Sequence, residues 1–495
     1  YLSSEYYRRI EKKDSLVQTI EEFKKLVTET DVKLNSIYQG VFGGIIDKIR
    51  TFGGIKEGDT DVKILSSLQS RELLKGNTTV KYTHDENYQL PENYNGLGYL
   101  NLIGMIFEIE VILSEFRKDG KANEMPADIN LFFIEEPEAH THPQMQYVFI
   151  NNIKSILVNG SQIEGGEVIN LQSIISTHSS HIVSESDFDD IKYFYIAKDK
   201  YVKAKNLKSL EVEYKKDGDE GVQRFKFLKQ YLTLHRSELF FADKAIFIEG
   251  ETERILLPSI MKKIDQEKSN ENSLPLCSQN ISIIEVGNYS HIFDRFIDFI
   301  GVKSLIITDI DPAKPYEKKE TNSNVSEHTP LTKCKSKDAT TTTNASLRHY
   351  FAYYLTDKEN AFCRLRNLDT SQKSLIKSNS DTFGWESSDS GNLMVVFQVE
   401  EKTTDTDTSY LAGSFEDAFI YLNRQFIKGN QKIFQSLKNK EYFDDSQKDA
   451  WDLAQKCIDK KTSFAIEIIL ASNDRSDNWT IPKYIKEGLI WLKKN

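Results

Sequence analysis

The feature that most constrains the fold is a repeated alternation of short apolar runs with segments of helical periodicity. LFFIE (131–135), LQSIIST (171–177) and YFYIA (193–197) are typical of buried strands. Helical segments are predicted at 101–116 and 144–158. Strands that alternate with helices predict a parallel sheet covered on both faces.

The same alternation starts again after residue 243. KAIFIEG (244–250), ISIIEVG (281–287) and SLIITDID (304–311) are predicted strands, and helices are predicted at 251–264 and 290–301. This βαβαβ order predicts a second α/β domain.

Four other segments carry weaker signals. Residues 6–50 have apolar residues near helical spacing and predict a packed helical hairpin, with a dimer arm or an insertion as the alternative. Residues 51–95 are rich in turn signals, and 222–240 predict a connecting helix. Residues 312–347 are polar and lysine-rich, which predicts a solvated loop or a basic segment.

Length and composition limit the classes of protein. At about 100–200 residues per domain, 495 residues predict two or three domains. There is no run of about 18 apolar residues and no opening signal peptide, so neither a membrane span nor secretion is expected. Four scattered cysteines without a CxxC pair favour a reducing cytoplasm. A net charge of −11 argues against nucleic-acid binding by the whole surface and leaves room for a local basic groove.

The first predicted site lies where two strands end. Glu135 and Glu136 follow one apolar strand and His178 follows the next, at the sheet edge where α/β proteins bind ligands. Glu135 could hold Mg²⁺, directly or through water, and Glu136 could polarise the water that attacks a γ-phosphate. His178 could contact that phosphate. Exposed acids and a structural histidine are the alternative interpretation.

A glycine pair precedes the 101–116 helix. NYNGLGYLNL (93–102) places Gly96 and Gly98 where free backbone N–H groups could bind an anion. A single GxG specifies little by itself.

Taken in order, these stretches resemble the ABC-type ATPases. NGLG, with Asn95, Gly96 and Gly98, resembles the signature loop, FFIEE the Walker B segment, and STHS the switch histidine. The resemblance implies Mg²⁺–ATP, and a signature loop that caps ATP on a partner subunit, so a homodimer or higher oligomer is expected. Two departures are Asn95, where serine is common, and Glu135, where aspartate is common.

No P-loop of the form GxxxxGK[ST] occurs in the sequence, which also begins without methionine. We expect an N-terminal segment to be absent from this sequence, and a chain that has lost ATP binding is the alternative.

The second predicted site combines four acids. Glu249 ends a strand and Glu253 lies one helical turn later, whereas Asp309 and Asp311 alternate along a strand. Four carboxylates in one small volume would repel one another severely without cations. Two Mg²⁺ or Mn²⁺ ions would compensate them and could cleave a phosphodiester. A solvated helix face and an acidic loop are the alternatives.

In this βαβαβ order, with Gly287 after the second strand, the acids resemble a Toprim domain. An ABC-type ATPase followed by Toprim resembles the OLD (overcoming lysogenization defect) family of ATP-dependent nucleases, over about residues 90–312. The resemblance extends to AGSFEDAFIYLN (412–423), implying Glu416 as a further metal ligand. It also implies Lys461, with Lys460 as the alternative, as a catalytic cation in KKTSFA (460–465).

The expected fold class is therefore α/β, with the C-terminal part of an ABC-type ATPase and its helical insertion followed by a Toprim domain. The expected domains are 1–92 (helical insertion), 93–240 (ATPase core) and 241–495 (Toprim with accessory helices). The resemblance implies an ATPase-gated, metal-dependent DNA endonuclease or nickase in bacterial anti-phage defence. Its partner there would be a helicase-like protein or a retron reverse transcriptase with its DNA. An SMC- or Rad50-like DNA clamp with a structural Toprim domain is the alternative; a topoisomerase or primase is disfavoured.

Overall fold

The computed structural model describes most of the chain and divides it into two compact units, Tyr1–Asp187 and Phe188–Asn495. The described ranges are 17–51, 61–66, 78–85, 88–91, 97–118, 124–163, 166–197, 199–235, 237–267, 274–316, 330–356, 361–378, 384–403, 406–473 and 478–494.

The first unit contains helices and two small sheets. Its helices are α1 (Val17–Thr51), α2 (Leu97–Arg117), α3 (Pro143–Gly160) and α4 (Ser180–Glu185), and its strands are β1 (Asp61–Ser66), β2 (Thr78–Asp85), β3 (Tyr88–Pro91), β4 (Asn130–Glu135) and β5 (Leu171–Ser176). Strands β1–β2–β3 form an antiparallel sheet, and β4 pairs in parallel with β5.

Alternation along β4 fixes how this parallel pair packs. Phe132 and Ile134 are buried in one core with residues of α2 and α3, while Leu131 and Phe133 point to the other face and are exposed. The register pairs Glu135 with Ser176, so both strands end at the same edge. That edge carries the first predicted site.

Two predictions for the first unit need correction. Residues 17–51 form one continuous helix, so the hairpin predicted for 6–50 is wrong over that range, and residues 6–16 lie outside the described part. The turn-rich segment 51–95 contains the sheet β1–β2–β3. Short strands interrupted by turn residues gave no clear periodicity.

The second unit contains one large sheet and several smaller elements. Its strands are β6 (Lys192–Ile196), β7 (Val202–Asn206), β8 (Lys244–Ile248), β9 (Ile281–Glu285), β10 (Lys303–Ile307), β11 (Pro312–Pro315), β12 (Leu331–Lys333), β13 (Thr341–Thr342), β14 (Ser374–Lys377), β15 (Trp385–Ser387), β16 (Leu393–Val396), β17 (Glu400–Thr403) and β18 (Thr406–Leu411). Its α-helices are α5 (Leu210–Lys215), α6 (Gly218–His235), α7 (Glu251–Gln266), α8 (Asp294–Ile300), α9 (Ala345–Tyr350), α10 (Ala361–Arg366), α11 (Thr370–Lys373), α12 (Phe415–Gly429), α13 (Ala450–Cys457), α14 (Lys461–Ala471) and α15 (Lys483–Lys493).

The large sheet has the strand order β15–β14–β16–β10–β8–β9. Strands β16, β10, β8 and β9 are parallel, and β14 and β15 add an antiparallel edge. Apolar residues of β8, β10 and β16 share one core with α7, α12, α14 and α15. The parallel order brings the carboxyl ends of β8, β10 and β16 to one edge, which positions the second site.

The strand predicted at 193–197 exists but has another partner. It is β6, which pairs antiparallel with β7 and belongs to the second unit. The helices that follow also pack there: Tyr214 donates a hydrogen bond to the carbonyl of Ile292 (2.5 Å), and Arg295 pairs with Asp217 at 2.6 Å. The compact units therefore divide near residue 187, not near 240, and the domain bounds remain a prediction.

The lysine-rich segment 312–347 is more ordered than predicted. Strands β11, β12 and β13 form a small antiparallel sheet, followed by the start of α9, while 317–329 lie outside the described part. In the described part of the chain, no helix combines the length and apolar character needed to cross a bilayer.

Candidate functional site

A cavity of 280 Å³ opens at the carboxyl edge of the large sheet in the second unit. It is lined by five acids, a lysine and small or polar neighbours: Glu249, Gly250, Glu251, Thr252, Glu253, Asp309, Glu416, Lys461 and Thr462. Four of the five predicted metal ligands of this unit and the predicted catalytic lysine thus meet in one place.

Two of the acids come from the β8–α7 connection. Glu249 follows the fully buried strand β8, and Glu253 lies in the first turn of α7. The Glu253 carboxylate accepts a hydrogen bond from the backbone N–H of Gly250 at 3.2 Å, which is the one bond of a capping box that a glycine N-cap allows. The same bond that begins the helix therefore holds Glu253 at the cavity.

The turn after β10 brings Asp309 beside Glu249. Glu249 Oε2 accepts hydrogen bonds from the Thr308 hydroxyl (2.9 Å) and from the Asp309 backbone N–H (2.8 Å). Asp309 Oδ1 accepts bonds from Gln398 Nε2 (2.6 Å) and from the N–H of Phe415 (3.0 Å). Each of these two carboxylates is therefore held by hydrogen bonds to one of its two oxygens.

Glu416 and Lys461 form the opposite part of the lining. Glu416 lies in the first turn of α12 and is 3% exposed, and Lys461 begins α14. Lys461 Nζ lies 2.9 Å from Glu416 Oε2, while its side chain is 62% exposed. Lys460 does not line the cavity, so the structure favours Lys461 among the two predicted lysines.

These acids are buried, and little positive charge lies near them. Burial raises the pKa of Glu249, and it raises that of Asp309 well above the usual value, with Glu249 adding to the effect. Burial and the neighbouring Glu416 raise the pKa of Glu253 to about 8. Burial alone would lower the pKa of Lys461, but Glu416 and Asp309 outweigh it and raise that pKa.

The donor set suits a hard divalent cation. The four predicted ligands Glu249, Glu253, Asp309 and Glu416 offer oxygen atoms, and their uncompensated charge would be relieved by Mg²⁺ or Mn²⁺. Among the described residues, however, no three acid, histidine or cysteine side chains converge closely enough to hold an ion as they stand. Cation binding would therefore bring these side chains closer together.

Asp311 does not line the cavity, but it lies near it, because its charge contributes to the raised pKa of Glu249. Its role as a metal ligand stays a prediction. Strand β10 ends at Ile307, and Asp311 has the left-handed φ of +43°. The alternation that places i and i+2 on one face therefore does not reach it. The Asp311 carboxylate lies 3.9 Å from Lys333 Nζ, and burial raises its pKa.

The first unit brings its predicted strand-end residues together. Glu135 is the last residue of β4, and Glu136 follows with φ of +42° and a backbone bond to the Ser176 carbonyl (3.0 Å). His178 Nε2 lies 3.5 Å from Glu136 Oε1, and both side chains are exposed.

The predicted signature loop is only partly described. Asn95 and Gly96 lie outside the described residues, whereas Gly98 is the second residue of α2. A Cβ at Gly98 would lie 2.7 Å from the carbonyl oxygen of His140. Packing against this turn therefore already requires a glycine there.

Sequence reasoning missed the residues that support both sites. Glu138 Oε1 accepts a bond from the His178 N–H (2.5 Å), and Asn344 Nδ2 donates to Thr308 Oγ1 (2.8 Å). Gln398 is the third such residue. Glu138 is visible as the third acid of FFIEEPE, but Asn344 and Gln398 have no sequence signal, because their partners are 36 and 89 residues away.

The raised pKa of Glu253 predicts a pH-dependent free energy of unfolding. Between pH 4.5 and about 8 the folded protein holds a proton that the unfolded chain releases, so stability falls as pH rises. One proton gives at most about 1.4 kcal/mol per pH unit. Urea denaturation in EDTA at several pH values measures this slope. Without EDTA, Mn²⁺ at about 100 times its Kd should add about 2.7 kcal/mol to the free energy of unfolding.

Glu253→Gln is the matched control for this slope. Glu401, whose burial raises its pKa to about 7, contributes in the same direction in both proteins. The Gln variant should therefore keep part of the slope and lose the Glu253 part. An identical slope in the two proteins would contradict the assignment.

Comparisons with protein families assign both parts of the chain. Residues 1–183 match the family model described as an AAA ATPase domain. Residues 240–311 match the model described as "Overcoming lysogenization defect protein-like, TOPRIM domain". The chain thus combines an ATPase domain with an OLD-like Toprim domain. The ATPase match lies at the N-terminal end of this chain, over 1–183, which corrects the expectation of a C-terminal part.

Two curated nucleases are homologous to the chain. Endonuclease GajA of Bacillus cereus (strain HuB5-5) is 30% identical over 439 residues, which is 84% of this chain and 56% of that protein. Old nuclease of Escherichia phage P2 is 26% identical over 246 residues, 48% of this chain and 37% of that protein. The chain therefore spans only about half, or less, of these relatives, and the resemblance to the OLD family is confirmed.

A solved structure from the OLD family shows weak similarity to the chain. The C-terminal region of the Burkholderia pseudomallei OLD protein is 17% identical, covers 51% of this chain and 98% of that chain, and gives a TM-score of 0.28.

Proposed function

We propose that this chain supplies a divalent-metal-dependent DNA endonuclease or nickase whose Toprim site is gated by its ATPase domain. The observation that carries the proposal is the meeting of Glu249, Glu253, Asp309, Glu416 and Lys461 in one cavity. The homology of the chain to an endonuclease and to a nuclease supports the same class of reaction.

Four carboxylates would hold two cations in each Toprim site. When bound, Mg²⁺ or Mn²⁺ would activate water and stabilise the leaving oxygen of a phosphodiester. Glu249, Glu253, Asp309 and Glu416 supply the negative charge for this. Glu249 is oriented through its Oε2 atom by the Thr308 hydroxyl and the Asp309 N–H. Glu253 is oriented through its Oε2 atom by the Gly250 N–H.

Lys461 is the proposed cation for the phosphate itself. Its ammonium reaches Glu416 while most of its side chain faces solvent, where a DNA backbone could approach. A lysine there neutralises negative charge that builds on the phosphate in the transition state. Asp311 lies beside Lys333, outside the cavity lining, and remains a predicted metal ligand.

The ATPase role is proposed for Glu135, Glu136 and His178, with Asn95, Gly96 and Gly98 acting on nucleotide bound to a partner subunit. The support is the 3.5 Å approach of His178 to Glu136 at the sheet edge. Dimerisation through ATP would then couple nucleotide state to cleavage. A role in anti-phage defence, with a helicase-like or retron partner, rests on the family resemblance alone.

Plasmid cleavage tests the proposal. The purified chain with supercoiled plasmid should convert it to open-circular or linear DNA in Mg²⁺ or Mn²⁺, because the acids need compensating cations. EDTA should stop the reaction, and added excess Mn²⁺ should restore it. Cleavage that continues in EDTA, or no cleavage under any of these ions, would contradict the nuclease proposal.

Glu136→Gln in the full-length protein separates ATP-dependent gating from DNA cutting when ATP turnover and plasmid cleavage are measured side by side. The change keeps the side-chain size and removes the proposed general base, so ATP turnover should fall about 10²–10⁴-fold. The Toprim acids are untouched, so cleavage measured without ATP should remain. Unchanged ATP turnover would remove Glu136 from the catalytic role.

A further inference from the structure

Gln398 occupies a position that none of the assigned roles explains. It follows β16 by two residues and is 1% exposed. Because β16 is the parallel neighbour of β10, Gln398 stands at the same sheet edge as the turn after β10. A buried amide there must find partners or destabilise the fold.

The amide finds them in the turn that carries Asp309. Gln398 Oε1 accepts a hydrogen bond from the N–H of Ile310 (2.7 Å), and Nε2 donates to Asp309 Oδ1 (2.6 Å). Nε2 also lies 3.2 Å from the hydroxyl of Tyr484 on α15. Its oxygen meets an N–H and its nitrogen meets a carboxylate, so only one orientation of the amide satisfies both partners.

This arrangement decides which oxygen of Asp309 is left for a ligand. Gln398 and the Phe415 N–H both bind Oδ1. Among the described residues Oδ2 has no hydrogen bond to a protein donor, so it is the oxygen that a cation could take. Groups that hold a metal ligand through its second atom fix its orientation and raise metal affinity.

We propose that Gln398 is a positioning residue, which holds Asp309 Oδ1 and presents Oδ2 to a divalent cation. The proposal rests on the metal-dependent Toprim function and adds a residue outside the acidic set. A purely structural role for this amide predicts lower stability and unchanged cation affinity. Positioning predicts weaker cation binding in a protein that is still folded.

Isothermal titration of the metal-free full chain with Mn²⁺ tests this. Gln398→Met keeps the side-chain length and removes both hydrogen bonds, so Mn²⁺ should bind about 10- to 100-fold more weakly. Asp309→Asn identifies the part of the heat signal that belongs to the cavity. Plasmid cleavage by Gln398→Met should recover at high Mn²⁺, because the ligand Asp309 is still present.

Asn423→Leu is the matched control. Asn423 is another buried amide of the same unit, on α12, bonded to the carbonyl of Thr480 (2.9 Å) and outside the cavity lining. It should lower thermal stability and leave Mn²⁺ affinity unchanged. Gln398→Asn, which withdraws the amide by one methylene, serves if the Met variant does not fold, and it too should bind Mn²⁺ more weakly.

Three results would overturn the proposal. The first is wild-type Mn²⁺ affinity in the folded Gln398 variant. The second is a loss of Mn²⁺ affinity in Asn423→Leu that equals the loss in the Gln398 variant. The third is plasmid cleavage by Gln398→Met that high Mn²⁺ does not restore. Failure of the proposed function looks different: the unmodified chain would then show no Mn²⁺ binding that depends on Asp309.

Discussion

Asp309→Asn is expected to abolish metal-dependent plasmid cleavage while the protein stays folded. Asp309 is buried, lies beside Glu249 and lines the cavity. Losing the charge that holds a cation removes several kcal/mol of transition-state stabilisation, or about 10³-fold in rate. Glu249→Gln should have the same effect for the same reason. Gel quantification of nicked and linear plasmid over time measures both.

The asparagine variant is preferable to alanine because it keeps an acceptor. Its Oδ1 can still accept from Gln398 Nε2 and from the Phe415 N–H, whereas alanine would leave both buried donors unsatisfied. Removing a buried charge should hold or raise the melting temperature of the metal-free protein.

Asp298→Asn is the control for this pair of variants. Asp298 belongs to the same unit, pairs with Lys377 at 2.8 Å and does not line the cavity, so cleavage should stay at the wild-type rate. Cleavage retained by folded Asp309→Asn would refute the Toprim site.

The βαβαβ order of the second unit could be predicted because buried parallel strands appear in the sequence as continuous apolar runs. Residues 245–248 and 305–307 are such runs, and their order along the chain fixes which sheet edge carries Glu249 and Asp309. The placement of these acids was therefore predictable without knowing any contact.

Periodicity could not choose partners for a strand or mark where a strand ends. The sequence predicted YFYIA as a strand, and it is one, but it pairs with residues 202–206 in an antiparallel hairpin. A two-residue alternation of apolar and polar residues does not specify which strand lies beside it. The strand-face argument for Asp311 does not apply for a related reason: β10 stops at Ile307, and Asp311 has a left-handed φ, so strand alternation does not determine where its side chain lies. Hydrogen bonds across 89 residues, such as Gln398 to Asp309, exist only after the sheet has formed.

Lys461→Ala is expected to slow cleavage about 10²–10³-fold without weakening cation binding. In the metal-free protein the ammonium of Lys461 pairs with Glu416 at 2.9 Å and partly compensates the acids. Its removal leaves the cavity more negative, so Mn²⁺ should bind as tightly as before or more tightly. Titration calorimetry and plasmid cleavage at saturating Mn²⁺ separate the two effects.

This pattern distinguishes Lys461 from the acids of the same cavity. Asp309→Asn should lose affinity and rate together, whereas Lys461→Ala should lose rate alone, because Lys461 acts on the phosphate. Lys460→Ala is the matched control: the neighbouring lysine precedes α14, does not line the cavity and should leave both quantities unchanged. If Lys461→Ala instead bound Mn²⁺ more weakly at an unchanged saturated rate, the lysine would be holding Glu416 in place for the cation, and its contact with the phosphate would be refuted.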